Sequence, residues 1–261
     1  SYGNRWHETP ALDRLAGEGI RFTDAYGYAN CTPARAALLT GRSAARTRLT
    51  FPLLPEFRVA RRNAGKALRE PALAPGLALE ERTLAEALKE RGYATAIIGK
   101  WHVGRGEFLP AKQGFDVVFG TDDAELPGSI RRWFGPDYGI PVEHGVEGEY
   151  FSDRVTREAE RFLEAHAERP FFLYLPHYAV HSRHVGKPEA EAYFERKPGR
   201  PEGATKGLAA MLRGLDDSVG SVLRKLAELK LAESTIVVFM SDNGGLVQTR
   251  SNGALRAGKG W

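Results

Sequence analysis

Three short apolar runs constrain the fold of this chain more than any other feature. They span residues 95–98, 171–175 and 235–240, and each is rich in β-branched or aromatic side chains. Each run also follows a stretch with helical spacing of apolar residues, at 83–91, 150–166 and 206–231. Helices that alternate with wholly apolar strands are typical of α/β proteins. The sequence therefore predicts a mainly parallel central sheet flanked by helices.

Composition narrows the class of protein. The chain has 261 residues, 42% of them hydrophobic and 27% charged, which excludes a disordered chain. A single cysteine excludes an internal disulfide, and no apolar run approaches the roughly 18 residues of a membrane span. The formal charge of +4 is too small to indicate nucleic-acid binding. We expect one domain over residues 1–261, with long excursions at 51–75 and 104–149 and no signal segment.

Polar side chains follow all three apolar runs. Because ligands bind at the carboxyl ends of parallel strands, these side chains are expected to converge on one crevice. They are Lys100 and His102 after the first run, His177 and His181 after the second, and Asp242 and Asn243 after the third.

Cys31 is predicted to begin a helix. Pro33 suits the first turn and Gly41 suits the end of that helix. Free N–H groups and the helix dipole would then favour an anion beside Cys31, and Arg35 adds positive charge one turn later. The alternative is a buried structural cysteine.

The histidines allow two interpretations. Lys100 can hold an anion and His102 can move a proton, or both can be structural. The spacing of His177, His181 and His184 permits zinc, but the strand and Pro176 before them argue against a helix that presents ligands together. One histidine acting on substrate is the preferred interpretation.

Two loops complete the set of candidate residues. Asp242 and Asn243 form either a simple turn or two hard oxygen ligands for Ca²⁺ or Mg²⁺, which need further ligands. Residues 253–259 approach a nucleotide-binding loop, but Gly260 stands where a Ser or Thr is required. Lys259 on this glycine-rich loop is instead a candidate contact for an oxyanion.

The combination of these motifs resembles the sulfatase family. Residues 31–42 resemble its first signature and residues 92–102 its second. His181 after an aromatic strand, then residues 241–244, then residues 255–260, follow in the family's order. The resemblance covers nearly the whole chain and implies the alkaline phosphatase-like α/β fold. It also implies that this is part of a catalytic domain whose first strand and C-terminal region lie outside residues 1–261.

The resemblance implies a chemistry for each candidate residue. A separate maturation enzyme would oxidise Cys31 to formylglycine, whose hydrate attacks the sulfur of a sulfate ester. By this resemblance, Arg35 and Lys100 would stabilise the aldehyde hydrate and the anion, and His102 would accept a proton. His181 and Lys259 would contact the sulfate and the leaving group. Asp242 and Asn243 would bind Ca²⁺ (or Mg²⁺). The family's remaining acidic ligands have no counterpart here, and neither Asp122–Asp123 nor Asp216–Asp217 is assigned to the metal.

The implied activity is release of inorganic sulfate from a sulfated carbohydrate or an aryl sulfate. A phosphonate or phosphate ester hydrolase using the same aldehyde remains an alternative, as does an inactive homologue that binds anions. A hydrolase that uses the unmodified Cys31 thiol is a more distant one. The resemblance implies a periplasmic or extracellular location.

Overall fold

A parallel three-stranded sheet organises the molecule. The computed structural model describes residues 4–54, 59–60, 63–68, 72–121, 132–140, 142–143, 145–247, 252–253 and 255–261. Strands β1 (Ala94–Ile98), β2 (Val117–Phe119) and β3 (Phe171–Tyr174) lie in the order β2-β1-β3, and both pairings are parallel. The predicted α/β class is confirmed.

Seven helices surround this sheet within the described part of the chain. They are α1 (Pro10–Glu18), α2 (Cys31–Thr40), α3 (Ala44–Thr47), α4 (Leu84–Lys89), α5 (Phe151–Ala165), α6 (Pro188–Arg196) and α7 (Lys206–Glu228). Short 3₁₀ turns occupy Gly106–Phe108, Pro110–Lys112 and Ala232–Ser234. None of the described helices is long and apolar enough to span a bilayer.

The alternation of β1 side chains places helices on both faces of the sheet. All five residues of β1 are buried. Ala96 and Ile98 pack with α5 and with Met211 of α7, whereas Ile97 packs in a second cluster with Ala36 of α2 and Ala85 of α4. Successive strand residues point to opposite faces, so one strand supports two separate cores.

The predicted helices are confirmed, with small shifts at their ends. Thr83 caps α4 through a capping box with Glu86, which explains why that short helix begins there. Helix α5 lies inside the predicted 150–166, and α7 ends three residues before the predicted Leu231.

The third predicted strand is wrong. Residues 235–240 have no strand assignment, and no backbone hydrogen bond joins them to another described segment. Their apolar side chains are largely exposed, with Ile236 at 92% and Val238 at 77%. Apolar sequence alone does not make a strand, because a strand also needs a hydrogen-bonding neighbour. Conversely, β2 lies inside residues 104–149, a stretch for which the sequence predicted only a long excursion near the sheet.

Of the two adjacent aspartate pairs in the sequence, the structure describes Asp216 and Asp217. The Asp216 carboxylate accepts hydrogen bonds from the N–H groups of Ala11 and Leu12 at 3.0 and 2.8 Å, and so caps α1. Asp217 pairs with Arg213 on the exposed side of α7. Asp216 and Asp217 thus make structural contacts, whereas Asp122 and Asp123 lie outside the described residues.

Candidate active site

Cys31 lies at the first position of α2, as predicted. Asn30 precedes the helix in extended conformation, and Gly41 ends it in the left-handed region at φ 66°. The Cys31 side chain is 3% exposed; its Sγ donates to Asn243 Oδ1 at 3.2 Å and accepts from Lys259 Nζ at 3.4 Å. The thiol therefore meets an amide oxygen and an ammonium group from two loops that are distant in sequence.

Arg35 holds two other candidate residues in place. Its Nε and Nη2 donate to Asp242 Oδ2 at 3.1 and 3.0 Å, and its Nη1 donates to the Lys100 carbonyl at 2.9 Å. Burial alone would raise the pKa of Asp242, but the charges of Arg35 and Lys100 outweigh it and hold that pKa below its usual value. Asp242 is therefore an ionised carboxylate fixed by a guanidinium.

Lys100 turns into the site at the end of β1. Gly99 makes this turn at φ 123°, and a Cβ there would come within 2.3 Å of the Pro176 carbonyl oxygen. The Lys100 N–H donates to the same oxygen at 2.7 Å. Burial, followed by the nearby charge of Arg35, lowers the pKa of the Lys100 ammonium. A buried cation of this kind favours an incoming anion.

His102 is buried in a backbone conformation that is uncommon for a residue with a side chain. Its φ is 59°, and 5% of the residue is exposed. Its Nε2 lies 3.2 Å from the Leu53 carbonyl oxygen, while Nδ1 has no hydrogen-bond partner among the described residues. Burial, then the charge of Lys100, lowers the pKa of His102 well below its usual value. The ring is therefore neutral near pH 7.

His181 faces the same group of cations from beyond β3. Burial, and then the charges of Lys100 and Lys259, lower the pKa of His181 to about 4. Its Nδ1 lies 3.0 Å from the Ser182 carbonyl oxygen. His181 is thus a neutral imidazole at neutral pH, within electrostatic reach of both lysines.

Lys259 is placed by contacts between two glycine-containing loops. The Asn252 amide donates to and accepts from the main chain of Gly245, at 3.0 and 2.8 Å, and the Lys259 N–H donates to the Gly245 carbonyl at 3.0 Å. A Cβ at Gly258 would come within 2.4 Å of that carbonyl oxygen. The absence of a side chain at Gly258 therefore permits the loop to approach closely.

The other two histidines stay apart from this group. His177 Nε2 lies 3.3 Å from the Ser218 hydroxyl, and the main chain of Val180 is the hydrogen-bond partner of His184. The part of the chain that the structure describes holds no cluster of three or more potential metal-ligating side chains. The zinc interpretation of His177, His181 and His184 has no support from this geometry.

Asp242 and Asn243 fit part of a divalent cation site. Both present oxygens, the ligands that Ca²⁺ and Mg²⁺ prefer, and the Asp242 carboxylate is ionised. Two side chains are too few for either ion. Arg35 already contacts one oxygen of Asp242, and Cys31 already contacts the side-chain oxygen of Asn243. The donor chemistry is suitable, but the described residues do not complete the coordination.

Comparison with known proteins identifies a family. The sulfatase family model matches residues 1–261. The chain belongs to the sulfatase family. Among curated proteins, it is 35% identical to the N-acetylgalactosamine-6-sulfatase of Canis lupus familiaris and 34% identical to the arylsulfatase A of Homo sapiens. Each match covers 99% of this chain and 50% or 52% of the relative, so the chain spans about half their length.

Solved structures of other proteins share the fold. The crystal structure of Ps i-CgsB superposes with a TM-score of 0.78 at 30% identity, covering 99% of this chain and 58% of the other. The same protein has also been crystallised with k-i-k-neocarrahexaose. A sulfatase from Pseudoalteromonas sp. superposes with a TM-score of 0.68 at 25% identity, covering 91% of this chain and 50% of the other.

Sequence reasoning missed several residues that support the site. The Thr32 hydroxyl contacts the main chains of Leu53 and His102, Asn252 positions the Lys259 loop, and the Tyr174 hydroxyl lies 3.5 Å from Arg35 Nη1. Thr32 sits inside the motif at residues 31–42, and Asn252 directly precedes the glycine-rich loop at 253–259. The only sequence signal for these two residues was their position beside candidate residues in the chain.

Proposed function

We propose that this chain carries the catalytic centre of a sulfuric ester hydrolase that releases inorganic sulfate from a sulfated carbohydrate or an aryl sulfate. Residues 1–261 are, in this proposal, part of a single catalytic domain. The observation that carries the proposal is the meeting of Cys31 with Lys259 and Asn243 at the N-terminus of α2. The names of the curated sulfatases to which the chain is similar give the reaction class.

The charges around Cys31 suit a sulfate ester. Three cations, from Arg35, Lys100 and Lys259, surround one carboxylate, Asp242. Cleavage of a sulfate ester gathers negative charge on the sulfate and leaving oxygens. Preorganised cations in a buried site stabilise that charge more strongly than water does. Lys259, whose ammonium already touches Sγ, and Lys100 are the groups proposed to bind the sulfate.

Oxidation of Cys31 to formylglycine by a maturation enzyme would supply a hydrated aldehyde as nucleophile. Arg35 keeps Asp242 and the Lys100 main chain in position around it. His102 accepts the proton of the hydroxyl that remains on residue 31, so that the carbonyl re-forms and sulfate leaves. His181 contacts the leaving oxygen. Asp242 and Asn243 are proposed to hold Ca²⁺, or Mg²⁺, with ligands from outside the described residues.

The class of substrate and the location of the protein are also part of the proposal. We propose a sulfated glycan as the substrate, because the curated N-acetylgalactosamine-6-sulfatase to which the chain is similar is named for a sulfated sugar. We propose a periplasmic or extracellular location, by analogy with the family.

The test combines mass spectrometry with an assay of two ester classes. The full-length protein is purified from its native host, and the peptide containing residue 31 is weighed. We expect the mass loss that accompanies replacement of the thiol by an aldehyde. The same preparation is assayed for release of sulfate from an aryl sulfate and a sulfated sugar, and of phosphate from the matching phosphate ester.

Each outcome of this test has a distinct meaning. Aldehyde at residue 31 with faster cleavage of sulfate esters supports the proposal. Aldehyde with faster cleavage of phosphate or phosphonate esters would replace it with the alternative hydrolase. An unmodified thiol in active protein would exclude the aldehyde mechanism, and an unmodified thiol in inactive protein would indicate an anion-binding homologue.

A further inference from the structure

Thr32, next to Cys31, joins three segments of the chain through one hydroxyl group. Its Oγ1 donates to the His102 carbonyl at 2.8 Å and accepts from the Leu53 N–H at 3.2 Å. Thr32 is fully buried, and Leu53 is 8% exposed. No solvent is therefore available to replace either hydrogen bond.

A third hydrogen bond closes these contacts into a ring. His102 Nε2 lies 3.2 Å from the Leu53 carbonyl oxygen. A carbonyl only accepts, so Nε2 must carry the proton, and in the neutral ring Nδ1 then keeps its lone pair. The ring of contacts runs from Thr32 to the His102 main chain, through the imidazole to Leu53, and back to Thr32.

Nδ1 is the imidazole nitrogen of His102 that these three hydrogen bonds do not use. It is buried and has no hydrogen-bond partner among the described residues. The charges of Lys100 and Arg35 both act on the imidazole, so His102 lies close to the cations of the candidate site. A buried acceptor without a partner is uncommon in folded proteins and indicates a missing ligand or a functional role.

We propose that Thr32 is a positioning residue, which fixes the tautomer and orientation of His102 so that Nδ1 serves as the proton acceptor for the group on residue 31. This inference rests on the proposed function for the role of His102, but the tautomer itself does not. Because Thr32 follows residue 31 directly, one hydroxyl sets the position of the proton acceptor relative to the nucleophile. The proton moves from the hydroxyl on residue 31 to Nδ1.

The test compares three variants of the full-length protein. Thr32→Val keeps the shape of the side chain but removes the hydroxyl, and Thr32→Ser restores it. Thr83→Val is the matched control, because Thr83 is also buried and its hydroxyl makes the same kinds of contact. It donates to the Gln113 carbonyl and accepts from the Glu86 N–H, and neither partner is a residue of the candidate site. Thermal unfolding and the aldehyde content of residue 31 are measured for each, and rates are expressed per modified site.

We expect Thr32→Val to lower kcat by about 10- to 100-fold with little change in KM, the size of effect that a lost buried hydrogen bond can produce. Release of the alcohol should become a burst that precedes slower release of sulfate, since the proton acceptor acts in the second step. Thr32→Ser should recover most of kcat, and Thr83→Val should change stability alone. Unchanged kcat in a folded, modified Thr32→Val protein would overturn the proposal, as would equal losses in Thr32→Val and Thr32→Ser.

A second measurement needs no activity. In protein labelled with ¹⁵N-histidine, and with the signal assigned through His102→Asn, we expect His102 to carry its proton on Nε2, and Thr32→Val to mix the tautomers. A proton on Nδ1 in the parent protein would contradict the inference even if sulfate is released. If the parent carries the proton on Nε2 and releases no sulfate, the proposed function fails while the positioning role of Thr32 stands.

Discussion

Arg35 directs its guanidinium toward groups of the protein itself. Its side chain is 6% exposed, and three of its donor atoms contact Asp242 or the Lys100 carbonyl. A planar guanidinium can satisfy both partners at once, which a lysine cannot. Arg35 therefore acts chiefly through Asp242 and Lys100, which it holds in place.

Replacement of Arg35 should destabilise the protein strongly. Arg35→Met leaves the Asp242 carboxylate, 28% exposed, and a buried carbonyl without their donor. We expect a loss of about 3 kcal/mol in the free energy of unfolding, the lower end for breaking a buried ion pair. Urea denaturation measures it.

Arg14→Met is the matched control for this change. Arg14 and Glu18 form an exposed pair within α1, at 3.8 Å. Exposed pairs contribute about 0–1 kcal/mol. Equal losses in the two variants would show that the Arg35–Asp242 pair contributes no more to stability than an exposed ion pair does.

Two partly buried histidines, His177 and His181, should make the fold sensitive to acid. Burial lowers the pKa of His177 to about 4, against about 6.5 in an unfolded chain. Between these pH values the unfolded state binds a proton that the folded state excludes. The free energy of unfolding should therefore fall as pH drops from about 6.5 to 4 and be unaffected by this group above that window. His181, with its pKa also about 4, adds to the same trend.

His177→Gln tests this assignment. The variant should lose stability less steeply than the parent over that pH range, as followed by urea denaturation at a series of pH values. His166→Gln, at the end of α5, provides a histidine replacement outside the sheet and the site. Identical pH dependence in the parent and in both variants would contradict the prediction.

At the scale of elements, the exit from β1 depends on a single glycine. Gly99→Ala meets both an unfavourable φ of 123° and a clash with the Pro176 carbonyl, whereas Gly92→Ala, at φ 83°, has nothing within 4 Å of its new Cβ. Gly92→Ala should cost about 1–2 kcal/mol, the penalty of a left-handed residue with a side chain. Gly99→Ala should cost more and should lower the yield of folded protein. Thermal unfolding compares the two, and equal losses would count against the clash.

Helices and strands were predictable from the sequence where the pattern of apolar residues matched the burial of the segment in the fold. The helical periodicity of residues 206–231 predicted α7, and the apolar run at 95–98 predicted β1, because burial on both faces requires that pattern. Residues 235–240 carry the same pattern without a described neighbour to pair with. β2 escaped prediction because three residues are too few to establish a period.

The candidate site was predictable from chemistry, but its internal contacts were not. Side chains able to bind anions or move protons at strand ends pointed to Lys100, His102 and His181, and a resemblance supplied their roles. A hydroxyl such as that of Thr32 leaves no pattern in the sequence, because its partners are main-chain atoms fixed only in the folded chain. The three-dimensional structure is needed to find such contacts.

At the scale of the whole molecule, two apolar segments lack cover from the described residues. Phe22 and Tyr26, before α2, are 74% and 93% exposed, and residues 236–240 are exposed as well. The two regions come close together, since a Cβ at Gly27 would lie 3.8 Å from the Asp242 carbonyl oxygen. Exposed apolar surface of this extent is unusual in a soluble monomer.

Hydrogen–deuterium exchange tests whether residues 235–240 are unpaired. In a protein consisting of residues 1–261 alone, the amides of residues 236–240 should exchange far faster than those of β1, which pair on both sides. Mass spectrometry of peptides from one preparation gives both rates, so β1 is the internal control. Protection of residues 236–240 equal to that of β1 would contradict the prediction.

The distance in sequence between Cys31 and its neighbours also has a consequence in time. Asn243 follows Cys31 by 212 residues and Lys259 follows it by 228. At a synthesis rate of about 5–20 residues per second, the ribosome needs roughly 10 to 40 s to make the chain between Cys31 and Asn243. For much of that interval the thiol is outside the ribosome, and Asn243 and Lys259 are not yet in place to cover it. Reagents and enzymes that need access to it have this window before the finished fold buries it.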